Sequence, residues 1–151
     1  MANTEKDDYK IFRKNICKPL DRMDRIENVV GNGTPDINYC AEGRESWIEL
    51  KSPKEPKRVG TTLFGSNHRL STDQKNWFLS QQNAGGNGYI LIATDVRWIL
   101  ISGKHADLIN TATVEYLLKL AIWSAERIQL AKNKYHWAMC RDILTGKINA
   151  E

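Results

Sequence analysis

The chain has 151 residues, of which 41% are hydrophobic, and this is enough for one ordinary core without a second domain. Its net charge of +4 and pI near 9.0 favour a polyanionic partner, although the excess is too small to identify one. The first eight residues lack the apolar segment of a secretory signal, and no run approaches the roughly 20 apolar residues of a membrane span. We therefore expect a cytoplasmic protein that does not bind membranes.

The first part of the chain predicts a helix followed by a strand. The helix is expected from Asp8 to about Ile16, with Pro19 stopping its continuation. The strand is expected from Arg25 to Val30, and Gly31-Asn32-Gly33 predicts a turn after it.

Two β-prone runs follow, Thr34–Ala41 and Trp47–Ser52. They are separated by Glu42-Gly43-Arg44-Glu45, whose glycine and charges suit a turn, so the two runs predict a hairpin.

Charged residues on this hairpin predict a metal centre. Because side chains alternate along a strand, Glu49 and Lys51 project from one face, while Ile48 and Leu50 project from the other. Asp36 lies near the start of the first run, where strand pairing can bring its carboxylate towards Glu49. Mg²⁺ is commonly held by one or two carboxylates together with a substrate phosphate. We interpret these residues as the metal centre of a nuclease.

A metal ion held by Asp36, Glu49 and the backbone carbonyl of Leu50 could contact a scissile phosphate and lower the pKa of a bound water. Lys51 would then orient that water or offset the developing negative charge. The alternative is a solvated cross-strand charge pattern, which is the commonest role of a lone Glu-x-Lys on a strand. Pro35-Asp36, the apolar neighbours of Glu49 and the hairpin spacing favour the metal centre.

These motifs resemble the PD-(D/E)xK nuclease superfamily, and within it the small stand-alone VRR-NUC type found in phages. The likeness extends from about Arg25 to Leu91 and follows the family's order. It is carried by Gly33-Thr34-Pro35-Asp36, Trp47-Ile48-Glu49-Leu50-Lys51, Leu70-Ser71-Thr72-Asp73-Gln74-Lys75-Asn76-Trp77 and the Gly-rich step into Tyr89-Ile90-Leu91. The resemblance implies an α/β, restriction-endonuclease-like fold, in which helices flank a mixed central β-sheet. It also implies a Mg²⁺ or Mn²⁺ requirement, action on structured or branched DNA such as Holliday junctions, and, for a phage protein, the host cytoplasm.

By the same resemblance, Asp36 and Glu49 are metal ligands, Lys51 is the catalytic lysine and Gln74 is a further active-site residue. Many relatives place another glutamate on the first helix. The acidic residues near the start of this chain, which match that position poorly, are Glu5, Asp7 and Asp8. Glu27, on the strand predicted just before the motif, is our preferred substitute.

Gln74 also has a purely structural interpretation. Ser71 is a suitable N-cap for the next predicted helix, and Gln74 stands three residues later in the capping-box position. It therefore either only caps this helix or, as the resemblance implies, also faces the metal centre.

The segment from Lys54 to Leu70 has one proline, two glycines and little periodicity, which predicts a long loop. Basic residues dominate this loop and its flanks, so they are expected to contact DNA phosphates, the alternative being a solvated flexible loop. The expected DNA-binding residues are Lys54, Lys57, Arg58, His68, Arg69 and Lys75.

The remaining chain predicts two strands, Tyr89–Thr94 and Arg97–Ile101, and then helices. One helix is expected from Thr113, because its apolar residues follow helical spacing: Val114, Leu117, Leu118, Ala121, Ile122, Ala125 and Ile128. Another is expected from about Leu130 to Leu144. The nuclease core would span about 8–101 and a C-terminal helical part about 105–145.

Three aromatic or aliphatic residues of the last predicted helix, Tyr135, Trp137 and Ile143, would suit a homodimer if they remain exposed. The widely spaced Cys17, Cys40 and Cys140 form neither a zinc signature nor a disulfide framework.

The sequence therefore predicts a metal-dependent DNA endonuclease that acts on branched DNA. The alternatives are a general or end-directed DNase of the same fold and a catalytically silent nucleic-acid-binding module. RNA remains open as a substrate, because no residue is identified that recognises the 2′-hydroxyl.

Overall fold

The computed structural model describes residues 4–26, 33–65 and 68–148. In these ranges six strands form one sheet, and they are β1 Arg22–Arg25, β2 Ile37–Ala41, β3 Arg44–Lys51, β4 Gly88–Ala93, β5 Arg97–Ser102 and β6 Trp123–Glu126. The helices of the same ranges are α1 Glu5–Ile16, α2 Thr72–Asn83, α3 Ala106–Ile109, α4 Val114–Leu120, α5 Arg127–Lys132 and α6 Tyr135–Leu144, with a 3₁₀ turn at Gly103–His105.

The strands follow one another across the sheet in chain order. Only the β3–β4 pair is parallel among the pairings of the described strands, because the long loop and α2 carry the chain back before β4 begins. The sheet is therefore mixed, and the predicted α/β architecture is confirmed.

Helices cover both faces of this sheet because the central strands are apolar on both sides. On one face, Phe12 of α1 and Trp137 of α6 pack against Ile48, Leu50 and their neighbours. On the other face, α2, α3 and α4 pack against a row of isoleucines from β4 and β5, namely Ile90, Ile92, Ile99 and Ile101. None of the described helices is both long and apolar enough to cross a bilayer.

The predicted hairpin is confirmed, with a tighter turn than expected. Only Glu42 and Gly43 lie between β2 and β3, and their φ angles are 52° and 81°. Positive φ at both positions is typical of the two-residue turns that match the twist of a hairpin. This turn pairs Ile37 with Ile48 and thereby fixes which residues of β3 lie beyond the end of β2.

The N-terminal predictions are wrong in their boundaries. Helix α1 begins at Glu5 rather than Asp8, because Thr4 and Asp7 form a capping box. Strand β1 is Arg22–Arg25 rather than Arg25–Val30, and residues 27–32, including Glu27 and most of the predicted turn, lie outside the described residues.

The helix predicted from Thr113 through Ile128 is also wrong. Helix α4 ends at Leu120, and β6 pairs with β5 at the edge of the sheet. Trp123 and Ala125 are buried while Ser124 and Glu126 are exposed, so the period is two and not 3.6. The helix expected from Leu130 to Leu144 is divided into α5 and α6, because Asn133 takes an extended backbone conformation.

Candidate active site

Asp36 lies immediately before β2, at the point where the β2–β3 ladder ends. Its carboxylate oxygen Oδ1 accepts a hydrogen bond from the backbone N–H of Leu50 at 2.9 Å. The N–H and C=O of one strand residue point to the same side, so the Leu50 carbonyl also points towards the Asp36 side of β3. The Asp36 side chain therefore takes the place of a backbone partner for Leu50, and its carboxylate lies beside the end of β3.

Glu49 and Lys51 occupy adjacent positions on the β3 face that packs against α2. Their register partners on β4 are Ile90 and Ile92, which belong to the same face. The Lys51 ammonium Nζ lies 3.5 Å from Glu49 Oε2, and the two side chains are only 11% and 6% exposed. Since buried charges need partners, this pair is a built feature of the fold and not a solvated charge pattern.

Gln74 joins this pair to α2. Its Nε2 donates to Glu49 Oε2 at 3.3 Å, and its Oε1 accepts from Lys51 Nζ at 3.4 Å. The same Oε1 accepts from the backbone N–H of Ser71 at 2.9 Å, and the Ser71 hydroxyl accepts from the Gln74 N–H. The predicted capping box is thus present, and Gln74 faces the carboxylate–lysine pair as well.

The charge state of the carboxyls reflects their burial. Burial raises the pKa of Asp36 to about 6, although the hydrogen bond from the Leu50 N–H opposes this. Burial, followed by repulsion from Asp36, raises the pKa of Glu49 to about 8, and the Lys51 ammonium opposes this. A bound divalent cation would stabilise the charged forms of two carboxyls that repel one another and are partly removed from water.

Glu5 is the third carboxylate at this place. It lies in the first turn of α1, and its charge acts on both carboxyls, raising the pKa of Asp36 and of Glu49. Glu27, the residue preferred on sequence grounds, lies outside the described residues. The capping box at Thr4 and Asp7 is the sequence signal that would have placed Glu5 on the helix.

Asp8 holds α1 in this position. Its Oδ2 accepts from the Ser52 hydroxyl at 2.8 Å, directly after Lys51, and its Oδ1 is paired with Arg127 Nη2 at 2.9 Å. Asp8 is fully buried, so the start of α1 is fixed beside the end of β3. The three N-terminal acids thus have separate roles: Asp7 caps the helix, Asp8 anchors it and Glu5 lies near the carboxyl pair.

The side chains at this site supply only some of the ligands that a metal ion needs. Among the described residues, no three His, Cys, Asp or Glu side chains are close enough together to hold a metal ion. Mg²⁺ nevertheless keeps several waters and is often bound by one or two carboxylates plus phosphate oxygens. Asp36 and Glu49, with the adjacent Leu50 carbonyl, provide such a set.

The long loop is confirmed in its described residues, and several of them anchor it to the protein. Leu63, Phe64 and Leu70 are buried in the core of the α2 face. The Asn110 side chain donates to the Leu70 carbonyl and accepts from the Leu70 N–H, at 2.9 and 2.8 Å. The middle of the loop and its end at Leu70 are therefore held against the body of the protein.

The basic residues expected to bind DNA lie in and beside this loop. Five of them are exposed and Lys75 is half-buried, the exposed ones being Lys54, Lys57, Arg58, His68 and Arg69. Two contacts bring the loop close to Asp36, Glu49 and Glu5, which together form the carboxylate cluster. The Arg69 carbonyl lies 3.5 Å from Lys51 Nζ, and His68 Nδ1 lies 3.8 Å from Glu5 Oε1.

No protein-family model and no curated protein matches the chain. Among solved structures, it is similar to Hjc of Archaeoglobus fulgidus, a Holliday junction resolvase from an archaeal hyperthermophile. The identity is 18%, the similarity covers 66% of this chain and 73% of that chain, and the TM-score is 0.44. This likeness is too distant to carry a function, so the proposal below depends on the site residues.

Proposed function

We propose that this protein is a divalent-metal-dependent nuclease whose active site is formed by Asp36, Glu49, Lys51 and Gln74. The observation that carries the proposal is the convergence of the half-buried Asp36 carboxylate, the buried Glu49 carboxylate and the buried Lys51 ammonium at one end of β3. Charged groups are costly to bury, so their shared burial beside an exposed basic loop favours a site for an anionic substrate and its cation.

Each residue has a distinct role in this proposal. Asp36, Glu49 and the Leu50 carbonyl would hold the cation, and Glu5 would contact it through a water. A bound divalent cation supplies a contact to the scissile phosphate and lowers the pKa of an attacking water. Lys51 would offset the negative charge that develops on the phosphate.

Gln74 would act as a positioning residue. It bonds to both Glu49 and Lys51, and the capping box fixes it to the start of α2. Its amide thereby limits the rotamers of the acid and of the lysine. This would keep the carboxylate aimed at the cation and the ammonium aimed at the substrate.

We propose DNA as the substrate, and branched DNA as its preferred form. The motif resemblance supports branched DNA, and the exposed cations around the loop support a polyanionic partner. A homodimer would suit paired cuts in a branched molecule. Only part of the predicted apolar patch favours it, because Tyr135 is 84% exposed while Trp137 and Ile143 are buried.

The deciding experiment compares cleavage of labelled four-way junction, flap, duplex and single-stranded DNA in Mg²⁺, Mn²⁺ or chelator. Wild type is compared with Lys51→Ala, and a matching single-stranded RNA is included. Paired cuts confined to the junction, lost in the variant and in chelator, are expected. Metal-dependent cutting of every DNA would indicate a general DNase, and salt-sensitive binding without cutting would indicate a silent binding module.

A further inference from the structure

A second site lies at the other end of β3. A cavity of about 1000 Å³ is lined by Arg44 at the start of β3 and by the Gly-rich turn between α2 and β4. Arg44 precedes Glu49 by five residues, which corresponds to about 16 Å along an extended strand. The cavity shares no lining residue with the carboxylate cluster, so it is a separate feature of the molecule.

The cavity is positively charged. Its described lining residues include Arg44, Lys104, Lys119 and His105, but no Asp or Glu. Lys104 and Lys119 are exposed and have no carboxylate within ion-pair distance among the described residues. Burial, followed by repulsion from Lys104, lowers the pKa of His105, so this ring is neutral near pH 7 and offers hydrogen bonds. Three permanent cations therefore line a space into which the described residues bring no compensating carboxylate.

Arg44 shows most clearly that an anion would be stabilised here. Its Nη2 donates to Asn87 Oδ1 at 2.9 Å and to the Tyr89 hydroxyl at 2.8 Å, and both partners are neutral. Its Nε is buried and has no hydrogen-bond partner among the described residues. A guanidinium that is partly removed from water and has no carboxylate partner would gain from a bound anion.

The remaining lining indicates the chemical class of that anion. Apolar residues from α4, α6 and the segments beside them contribute to the lining, and they are Leu120, Ala121, Ile122, Met139, Ile143 and Ile148. Gln82, Asn87 and Ser102 add amide and hydroxyl groups. A bare inorganic anion would leave these apolar residues uncovered. A cavity of this volume, whose lining combines apolar residues with amide, hydroxyl and cationic groups, is large enough for an organic anion.

We propose that this cavity binds a nucleoside phosphate. Its phosphates would contact Arg44, Lys104 and Lys119, and its base would pack against the apolar residues of the lining. The amide and hydroxyl groups of the lining would contact the sugar or the edge of the base. This proposal is independent of the nuclease proposal, because it uses none of the same residues.

The test is isothermal titration of the full chain with ADP and CDP at low salt in EDTA. The chelator prevents a cation in the carboxylate cluster from holding the phosphates. We expect saturable binding of at least one of the two nucleotides. In Lys104→Gln with Lys119→Gln the affinity should fall at least about tenfold, since hydrogen bonds to charged groups contribute at this scale. Both lysines are exposed, so the variant should fold normally.

The charge-matched control is Lys132→Gln with Lys134→Gln, two exposed lysines outside this cavity, which should bind as wild type does. Three titrations separate the ligand classes: pyrophosphate, adenosine and a single-stranded oligonucleotide. Weaker binding of pyrophosphate and adenosine than of the nucleotides would support the proposal. It would be overturned by equal binding of pyrophosphate or adenosine, by oligonucleotide binding alone, by an unaffected lysine variant or by no nucleotide binding.

Discussion

At the scale of single residues, Asp36 and Glu49 are central because each raises the free energy of the other's charged form. Asp36 and Glu49 are both removed from water, and repulsion between them adds to the effect of burial. A protein that had no use for the pair could relieve this repulsion with one neutral side chain. Isosteric neutral substitutions are therefore the sharpest test of their role.

We expect Asp36→Asn and Glu49→Gln each to abolish cleavage while leaving the fold and much of the metal-free DNA binding intact. Each substitution removes a proposed metal ligand without changing the size of the side chain. The control is Asp107→Asn, which neutralises an exposed aspartate on α3. Gel cleavage assays and circular dichroism would check the prediction, and cleavage by Asp36→Asn at the wild-type rate would refute the site assignment.

Glu5 gives a second prediction at this scale. Its charge acts on both carboxyls from the first turn of α1, so Glu5→Gln should weaken Mg²⁺ binding and slow metal-dependent cleavage. The effect on folding should be small, because Thr4 and Asp7 still cap the helix. Titration of cleavage rate against Mg²⁺ concentration would measure it. An unchanged Mg²⁺ dependence would exclude Glu5 from the centre.

The pH dependence of stability follows from the raised pKa of Glu49. In the unfolded chain this carboxyl loses its proton near its ordinary pKa of 4.5, whereas the folded, metal-free protein retains it up to about pH 8. The folded state therefore binds more protons across that range, and its free energy of unfolding should fall as pH rises from 4.5 to about 8. Below pH 4.5 the contribution of this proton to stability is fully present.

Urea unfolding of wild type and Glu49→Gln in EDTA would isolate this effect, because the variant has no titrating group at position 49. As pH rises across this window, the free energy of unfolding of wild type should fall relative to that of the variant. Added Mg²⁺ should restore the wild type most strongly at high pH, since its proposed ligands must be deprotonated. A pH-independent difference would contradict the raised pKa.

At the scale of secondary-structure elements, Gly33 controls how closely the chain before Asp36 approaches α2. Its φ is +80°, and a Cβ at this position would lie 2.2 Å from the backbone oxygen of Asp73. That contact is with backbone, so it cannot be relieved by a rotamer change. The close approach at Gly33 therefore helps to bring the Asp36 segment and the Gln74 turn together.

We expect Gly33→Ala to lower both stability and cleavage, because the clash displaces either the Asp36 segment or the start of α2. Gly43→Ala is the matched control. Gly43 has a nearly identical φ of +81° but has no atom within 4 Å of the added Cβ. It should show only the left-handed backbone cost of about 1–2 kcal/mol and retain full cleavage at saturating Mg²⁺. Equal cleavage by the two variants would show that this approach is not needed.

The elements that sequence reasoning located are those with local signals. The hairpin follows from the turn at Gly43, and α2 follows from the capping box of Ser71 and Gln74. Strand β6 was missed because Trp123 and Ala125 occur within an apolar pattern that also fits a helix. Only pairing with β5, which the local pattern does not contain, decides between the two.

The candidate site was located in the same way and was incomplete for the same reason. Asp36, Glu49 and Lys51 lie within 16 residues of one another, so the hairpin alone brings them together. Glu5 reaches Asp36 and Glu49 through tertiary contacts of α1, such as the hydrogen bond between Asp8 and Ser52, which are 44 positions apart. Tertiary contacts of this kind have no signature in a single sequence.

At the scale of the whole molecule, charge is distributed so that exposed cations follow directly after the strand that carries Glu49 and Lys51. The loop after β3 carries Lys54, Lys57 and Arg58, all exposed, while the buried residues Leu63, Phe64 and Leu70 hold its middle and its C-terminal end against the protein. The arrangement gives a polyanion a fixed basic surface beside the proposed cation site. Affinity and catalysis should therefore be separable by substitution.

We expect Lys57→Ala with Arg58→Ala to weaken DNA binding and to flatten its dependence on salt. Each cation that contacts a phosphate releases a counterion on binding, so removing two contacts should reduce the slope of log K against log salt by about 2. Cleavage at saturating DNA should stay near the wild-type rate, since neither residue belongs to the proposed catalytic set.

The control is Lys132→Ala with Lys134→Ala, which removes the same charge from the α5–α6 region, whose helices pack on the opposite face of the sheet from α2. Fluorescence anisotropy of a labelled junction, measured in EDTA at several salt concentrations, would compare the slopes. An equal loss in both variants would mean that net charge alone attracts DNA. A loss confined to the loop variant would mean that DNA lies against the loop, and so beside the carboxylates that are proposed to cut it.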